Sequence, residues 1–277
     1  MTDWKEKGNE ALKNGELDKA IEYFTNGINE DSGNAILYSN RAATYAQKKE
    51  WKESLADAEN AIKYNPNWSK AYSRKALALF HLGTYEQAIE NYQKAADLEQ
   101  NPQIKTSTLE SLDLVKKTMK AAEANVLGEE QLNRGQTASA ITFFNQAIEV
   151  EPLNTLYLIN RAHAYNLARK YDLGIADADK VIQLAPLWHK GYQRKGDALF
   201  GQEKYELAAG AYATGLQIQP ENEGLNKSFS RAQQQLFLDK HKAKQEEEKK
   251  GNSFFDAPVN FVKNLFNSGS EQNVKKN

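Results

Sequence analysis

The chain has 277 residues, a formal net charge of −1 and no cysteine. A near-neutral charge argues against a nucleic-acid-binding protein that relies on a basic surface. The lack of cysteine excludes disulfides, thiolate metal sites and a cysteine nucleophile. From the charged first residues and the absence of a long apolar run, we expect a soluble cytoplasmic protein.

An aromatic residue recurs every 34 residues at the start of the chain, as Trp4, Tyr38 and Tyr72. In the first repeat a small residue and a second aromatic residue follow it, Gly8 and Phe24. Apolar residues recur with the 3.6-residue period of a helix. The pattern predicts two helices in each repeat, which approach closely at the small residue and enclose the second aromatic ring. Such helix pairs must stack to bury their apolar faces.

The repeats restart near the middle of the chain, and the second set copies the first at an offset of 120 residues. Residues 39–45 align with residues 159–165, and residues 65–76 align with residues 185–196. Proline follows the second helix in several repeats, where it ends the helix. The sequence therefore predicts two blocks of three repeats.

A further helix is predicted after each block, because the open end of a repeat stack needs a cover. These capping helices fall at about residues 101–120 and 225–244. Their inner faces are expected to carry Leu109, Leu112, Val115 and Met119 in the first, and Leu225, Phe229, Ala232, Leu236 and Leu238 in the second. No proline or glycine lies between Lys105 and Leu127, so the pattern leaves open whether the first capping helix continues into the next repeat.

The C-terminal residues have two readings. A charge run at residues 242–250 is typical of a solvated helix end or linker. Beyond it, the apolar residues Phe255, Val259, Val262 and Phe266 have the spacing of one helical face, which would dock on another surface. A disordered tail fits equally well. The predicted domains are thus residues 1–120, residues 121–250, and a flexible tail at 251–277 with a short amphipathic segment.

The 34-residue unit resembles the tetratricopeptide repeat, a helix–turn–helix motif, at each of its signature positions. This resemblance implies an all-α fold, a tetratricopeptide-repeat superhelix of two three-repeat blocks, each with a capping helix. Three segments of the first block also resemble the Hsp-organising family of co-chaperones: Lys-Glu-Lys-Gly-Asn-Glu-Ala-Leu (5–12), Tyr-Ser-Asn-Arg-Ala-Ala (38–43) and Lys-Ala-Tyr-Ser-Arg-Lys-Ala (70–76).

The second resemblance implies a carboxylate clamp, in which inward-facing side chains hold the C-terminal Glu-Glu-Val-Asp tail of heat-shock chaperones. Carried over position by position, the clamp consists of Lys5, Asn9, Asn40, Lys70 and Arg74. Ammonium, guanidinium and amide groups suit the two carboxylates of a terminal aspartate. The partners implied are the cytosolic chaperones of the seventy- and ninety-kilodalton classes, and possible client proteins.

The second block departs from the clamp pattern. Asn160, Lys190 and Arg194 retain the residue types of the first block, as a weaker second groove. Asn125 and Glu129 replace the first lysine and asparagine. A carboxylate at that position repels an acidic tail. Glu129 could instead form an ion pair with Lys190 or Arg194. We therefore expect the second groove to bind such a tail poorly.

The function expected from these patterns is that of a co-chaperone or adaptor with no cofactor. An enzyme is disfavoured because no segment remains for a catalytic domain, and the four histidines lack metal-ligand spacing. Nucleic-acid and membrane partners are not expected. The alternative is a structural repeat scaffold that clasps protein helices or peptides without recognising a chaperone tail. The sequence does not choose between the two chaperone classes.

Overall fold

The computed structural model describes the backbone of residues 3–267 and the side chains of residues 3–247. Within this range the chain forms thirteen α-helices and no strand. The helices are α1 (Trp4–Lys13), α2 (Leu17–Glu30), α3 (Ala35–Gln47), α4 (Trp51–Tyr64), α5 (Ser69–His81), α6 (Tyr85–Leu98), α7 (Pro102–Asn133), α8 (Thr137–Val150), α9 (Thr155–Leu167), α10 (Tyr171–Leu184), α11 (His189–Gly201), α12 (Tyr205–Ile218) and α13 (Glu223–Asn267). The predicted all-α repeat fold is confirmed.

The helices divide into two compact units, Met1–Ala124 and Asn125–Asn277. In the first unit the helix pairs α1–α2, α3–α4 and α5–α6 pack in sequence. In the second unit the pairs α9–α10 and α11–α12 do the same, and α13 packs on α12. The open question about α7 is answered, because one helix runs without a break from Pro102 to Asn133. Its first part follows the first block, and its last part is the first helix of the fourth repeat.

In the first and fourth repeats the close approach of the two helices depends on glycine. A Cβ atom added to Gly8 would lie 2.3 Å from Cε1 of Phe24, and one added to Gly128 would lie 2.6 Å from Cε1 of Phe144. Both phenylalanine rings are fully buried. The predicted pairing of a small residue with an aromatic ring is therefore confirmed, and it sets the spacing of the helices.

The turn inside each repeat has the same backbone conformation in all six repeats. One residue there has a positive φ, and these residues are Gly15, Lys49, Gly83, Gly135, Arg169 and Glu203. At the first of these turns, Glu16 N–H donates to the Ala11 carbonyl and Gly15 N–H to the Leu12 carbonyl, which is the Schellman ending of a helix. Three repeats make this turn without glycine, at some cost in strain.

The inner faces of the capping helices differ from the prediction at two positions. Within residues 102–120 of α7 the buried residues are Thr108, Leu112, Val115 and Thr118, while Leu109 is 42% exposed. Leu109 lies about 100° around the helix from the centre of the buried face, and the Thr108 hydroxyl is satisfied by the Ile104 carbonyl at 2.8 Å. In α13 Leu238 is also exposed, because it falls on the side opposite Leu225.

The C-terminal residues continue α13, since its backbone is helical through residues 251–267. The side chains of residues 248–267 lie outside the described part of the chain, and with them the predicted apolar face of Phe255, Val259, Val262 and Phe266. Residues 268–277 of the expected tail also lie outside the described residues. Among the helices described, none is long and apolar enough to span a membrane.

Candidate peptide-binding site

The five residues of the predicted clamp lie on the first helices of three successive repeats. Lys5 and Asn9 are one turn apart on α1, Asn40 is on α3, and Lys70 and Arg74 are one turn apart on α5. Helix α3 contacts both α1 and α5, so the three helices form one face. We call this face the first groove.

Two amides join α1 to α3 in the first groove. Asn40 Nδ2 donates a hydrogen bond to Asn9 Oδ1 at 2.9 Å. Asn9 is exposed and Asn40 is half-buried, so the pair lies at the surface of the groove. The bond occupies Asn9 Oδ1, whereas Asn9 Nδ2 donates no hydrogen bond to the described residues and is available to a ligand.

Three positive charges in the first groove have no acidic partner. Among residues 3–247, Lys5, Lys70 and Arg74 form no salt bridge, whereas Lys75, next to Arg74 on α5, pairs with Glu59 at 2.9 Å. Arg74 Nη1 instead donates to the backbone carbonyl and hydroxyl of Ser39. These uncompensated cations give the groove a charge suited to an anionic ligand.

The surroundings of the two cations of α5 disfavour their charged forms. The positive charge of Arg74, followed by burial, lowers the pKa of Lys70 below its ordinary value. Burial lowers the pKa of Arg74 to about 10. Both side chains are protonated at pH 7, and an anion placed beside them would relieve their repulsion and desolvation.

A cavity of about 710 Å³ adjoins Lys70 and Arg74, between α5 and α7. Its walls include the apolar side chain of Leu77 and the hydroxyl-bearing side chains Ser73 and Ser111. The sequence did not predict this cavity, because it assigned the residues of α7 only a covering role. Its size is within the range of ligand pockets.

In the second unit, Glu129 lies at the position that corresponds to Asn9. We call the face formed by α9, α11 and the end of α7 the second groove. Glu129 Oε1 accepts hydrogen bonds from Asn160 Nδ2 at 2.7 Å and from Asn125 Nδ2 at 3.0 Å. Asn160 Nδ2 also lies 3.0 Å from Asn125 Oδ1. The second groove thus supplies its own carboxylate to the amides.

The cations of the second groove have other partners than the sequence suggested. Arg194 Nη1 pairs with Asp197 at 3.0 Å, and Asp197 also accepts the Tyr212 hydroxyl at 2.9 Å. Lys190 Nζ lies 5.8 Å from the ring centre of Trp188. Glu129 therefore pairs with neither Lys190 nor Arg194, the two partners that the sequence left open. Asp197, three residues after Arg194 on the same helix, satisfies the arginine, whereas Leu77 stands at that position in the first block.

A histidine in the second groove stays neutral at pH 7. Burial and the positive charge of Arg194 lower the pKa of His163 to about 4, and Asp197 opposes the shift only in part. Ala43 occupies the corresponding position of the first block. His163 therefore adds no positive charge to the groove.

Next to the groove asparagines, each block contains a buried ion pair that sequence reasoning missed. Arg41 Nε and Nη2 donate to both carboxylate oxygens of Asp57 at 2.7 and 2.8 Å. Arg161 makes the same bidentate pair with Asp177, with both bonds at 2.8 Å. The signal was available, because each arginine follows a groove asparagine and precedes an aspartate by 16 residues. These pairs join the two helices of a repeat and point away from a ligand-binding role.

No group of three potential metal ligands occurs among the described side chains.

Comparison with known proteins agrees with this architecture. The tetratricopeptide repeat family model matches residues 5–62 and 45–103. The tetratricopeptide-repeat domain of P58(IPK) superimposes with a TM-score of 0.62 at 18% identity, covering 85% of this chain and 65% of that chain. At this identity the likeness supports the fold alone.

Sequence relatives extend over most of the chain. The Hsp70-Hsp90 organizing protein of Triticum aestivum is 30% identical over 255 residues, covering 84% of this chain and 43% of the relative. Heat shock protein STI1 of Saccharomyces cerevisiae is 39% identical over 132 residues, covering 47% of this chain and 22% of the relative. The chain spans less than half the length of these relatives. Its fold is that of a tetratricopeptide-repeat superhelix, and its sequence is similar to those of the Hsp70-Hsp90 organizing proteins.

Proposed function

We propose that this protein is a co-chaperone adaptor whose first groove binds the C-terminal Glu-Glu-Val-Asp tail of heat-shock chaperones of the seventy- and ninety-kilodalton classes. The observation that carries the proposal is the set of three cations without acidic partners beside two amides on α1, α3 and α5. A relative is named Hsp70-Hsp90 organizing protein, and this name supports heat-shock chaperones as the partners. A role in the cytoplasm, where those chaperones meet their clients, belongs to the same proposal.

The chemistry of the groove fits a terminal aspartate. Such a residue carries an α-carboxylate and a side-chain carboxylate, which accept short charge-assisted hydrogen bonds from Lys5, Lys70 and Arg74. Asn9 Nδ2 donates a further bond to the peptide. Each charge-assisted bond contributes about 1.5–3 kcal/mol. After the cost of ordering a flexible tail, an affinity near micromolar, about −8 kcal/mol, is expected.

The adaptor role needs no catalytic group. The protein would hold one chaperone by its tail and leave its remaining surfaces for clients or a second partner. The competing role, a scaffold that clasps protein helices, requires no terminal aspartate. The two roles therefore differ in whether the last residue of the tail matters.

The test is isothermal titration calorimetry of the full chain with a peptide that ends in Glu-Glu-Val-Asp. We expect Asn9→Ala and Arg74→Ala each to weaken binding at least about tenfold, because each removes a donor to the terminal carboxylates. Helix content measured by circular dichroism should stay unchanged. Binding should also weaken as salt concentration rises.

Asn160→Ala is the matched control in the second groove and should leave the affinity unchanged. A tail peptide without its terminal aspartate should bind far more weakly than the intact one. Equal binding of both peptides would favour the scaffold role, and wild-type affinity in Asn9→Ala and Arg74→Ala would refute the clamp.

A further inference from the structure

We propose that the second groove binds a basic peptide segment, with Glu129 as the acceptor for a lysine ammonium or an arginine guanidinium. The proposal does not rest on tail binding by the first groove. It rests on the hydrogen bonds, burial and charges around Glu129.

The carboxylate of Glu129 is held in place before any ligand arrives. Its Oε1 accepts from Asn160 at 2.7 Å and from Asn125 at 3.0 Å. Asn125 is 95% buried and accepts a hydrogen bond from Asn160, so the donors that hold the Glu129 carboxylate are themselves fixed. Glu129 is exposed, and its Oε2 has no hydrogen-bond donor within residues 3–247. The second oxygen is thus oriented and open to the groove.

None of the positive or titratable side chains of the second groove pairs with Glu129. Arg194 is neutralised by Asp197, Lys190 lies over the ring of Trp188, and His163 is uncharged at pH 7. No lysine, arginine or histidine among the described side chains forms an ion pair with Glu129. The first groove holds three cations without acidic partners, while the second holds one, Lys190, together with a carboxylate that has no cationic partner.

This arrangement selects a cation over an anion. An acidic ligand would be repelled by the negative charge of Glu129, whereas the first groove has the neutral amide of Asn9 at this position. An ammonium or guanidinium group would form a charge-assisted hydrogen bond with Oε2 and cancel the charge. Because the face is open along three successive first helices, it suits an extended segment of chain rather than a small amine.

The test uses fluorescence anisotropy of the full chain with fluorescein-labelled Arg-Arg-Val-Lys amide, the charge-reversed counterpart of an acidic tail. We expect saturable binding at low ionic strength, about 50 mM salt. Glu129→Gln keeps the size of the side chain and removes its charge, and it should weaken binding at least about fivefold. The side-chain amide signals of Asn125 and Asn160 should shift in NMR spectra with the basic peptide.

Glu130→Gln is the matched control. Glu130 is the next residue, lies on a different side of α7 and is 3.6 Å from Arg134, so its loss should change binding less than about twofold. Asn9→Ala should also have no effect, which separates this test from that of the first groove. Absence of saturable binding, or equal losses in Glu129→Gln and Glu130→Gln, would overturn the proposal. So would unshifted amide signals of Asn125 and Asn160.

Discussion

The two grooves are built on the same frame and carry different charges. In the first, Asn9 and Asn40 are bonded to each other beside cations that lack acidic partners. In the second, Glu129 takes the hydrogen bonds of two asparagines, and Asp197 takes Arg194. The difference arises from a few substitutions on first helices, among them Asn9 to Glu129 and Leu77 to Asp197. A duplicated block can therefore change its ligand while it keeps its fold.

The frame itself is shared in detail. Both blocks contain a glycine packed against a buried phenylalanine, a bidentate arginine–aspartate pair and left-handed residues at matching turns. Proposals about ligands thus concern a few exchangeable side chains. Proposals about stability concern the residues that both blocks retain.

The largest effect is expected at the buried ion pairs. Asp57→Ala and Asp177→Ala should each destabilise their own unit by about 3 kcal/mol or more, because each leaves a buried arginine without its partner. Urea unfolding followed by circular dichroism measures the loss. Glu59→Ala is the control, since its pair with Lys75 is exposed and should contribute less than about 1 kcal/mol. A small loss at one aspartate and a large one at the other would show that the shared frame is not energetically equivalent.

Whether Arg74 of α5 has an acidic partner should determine how tightly the first groove binds an acidic tail. Leu77→Asp places a carboxylate where the second block has Asp197, so Arg74 gains an internal partner. We expect the affinity for a Glu-Glu-Val-Asp peptide to fall at least about tenfold, or about 1.4 kcal/mol. Calorimetry measures the affinity, and Leu77→Asn controls for the change in shape. Similar losses in both variants would mean that the cavity wall, rather than the charge, supports binding.

The converse exchange should convert the second groove in two steps. Asn125→Lys with Glu129→Asn restores the residue types of α1, but Arg194 stays paired with Asp197. Addition of Asp197→Leu should free the arginine and improve tail binding by about fivefold, roughly 1 kcal/mol. Calorimetry should be carried out in a background that carries both Asn9→Ala and Arg74→Ala, so that tail binding by the first groove does not mask binding by the second. If the triple variant binds no better than the double one, the comparison of the two arginines fails.

The fold could be predicted from the sequence because the residues that define the repeat have strict steric requirements. Gly8 and Phe24 must meet, and the proline after a helix must end it. The candidate clamp followed from the resemblance to the Hsp-organising family, carried over position by position. The partners of Glu129 and Arg194 did not, because several charged residues within reach compete, and distances of a few ångströms decide among them. The prediction that Leu109 is buried was wrong for a related reason. An apolar residue near the edge of a helical face can be exposed while its neighbour, here Thr108, is buried.

The cavity beside Lys70 was also beyond the sequence. It depends on small hydroxyl side chains such as Ser73 and Ser111 leaving space between α5 and α7. The sequence pattern does not report the space left between side chains. In the corresponding region of the second block Arg231 lines a cavity of only about 190 Å³.

His163 should make the second unit more sensitive to acid than the first. Its pKa is about 4 in the folded protein and near 6.5 when unfolded, so the unfolded chain binds more protons between these values. Stability contributed by the neutral ring is complete above pH 6.5 and is lost as the pH falls towards 4. Between pH 7 and 5, wild type should lose about 1 kcal/mol more than His163→Ala, allowing for partial exposure. Urea unfolding at the two pH values tests this, and parallel losses in both proteins would contradict it.

The smallest effect is expected at the turns, where the two blocks again correspond. Lys49 is exposed and has a φ of 61°, a conformation that costs a side-chain-bearing residue about 1–2 kcal/mol. Lys49→Gly removes that strain and loses part of the gain through the greater freedom of glycine in the unfolded chain, so a net stabilisation of about 0.5 kcal/mol is expected. Arg169→Gly should give a similar gain in the second unit. Gly83→Ala, at the same turn position of the third repeat, should destabilise by about 1 kcal/mol. Thermal unfolding measures all three, and a loss of stability in Lys49→Gly would show that its side chain stabilises the turn by more than its backbone strains it.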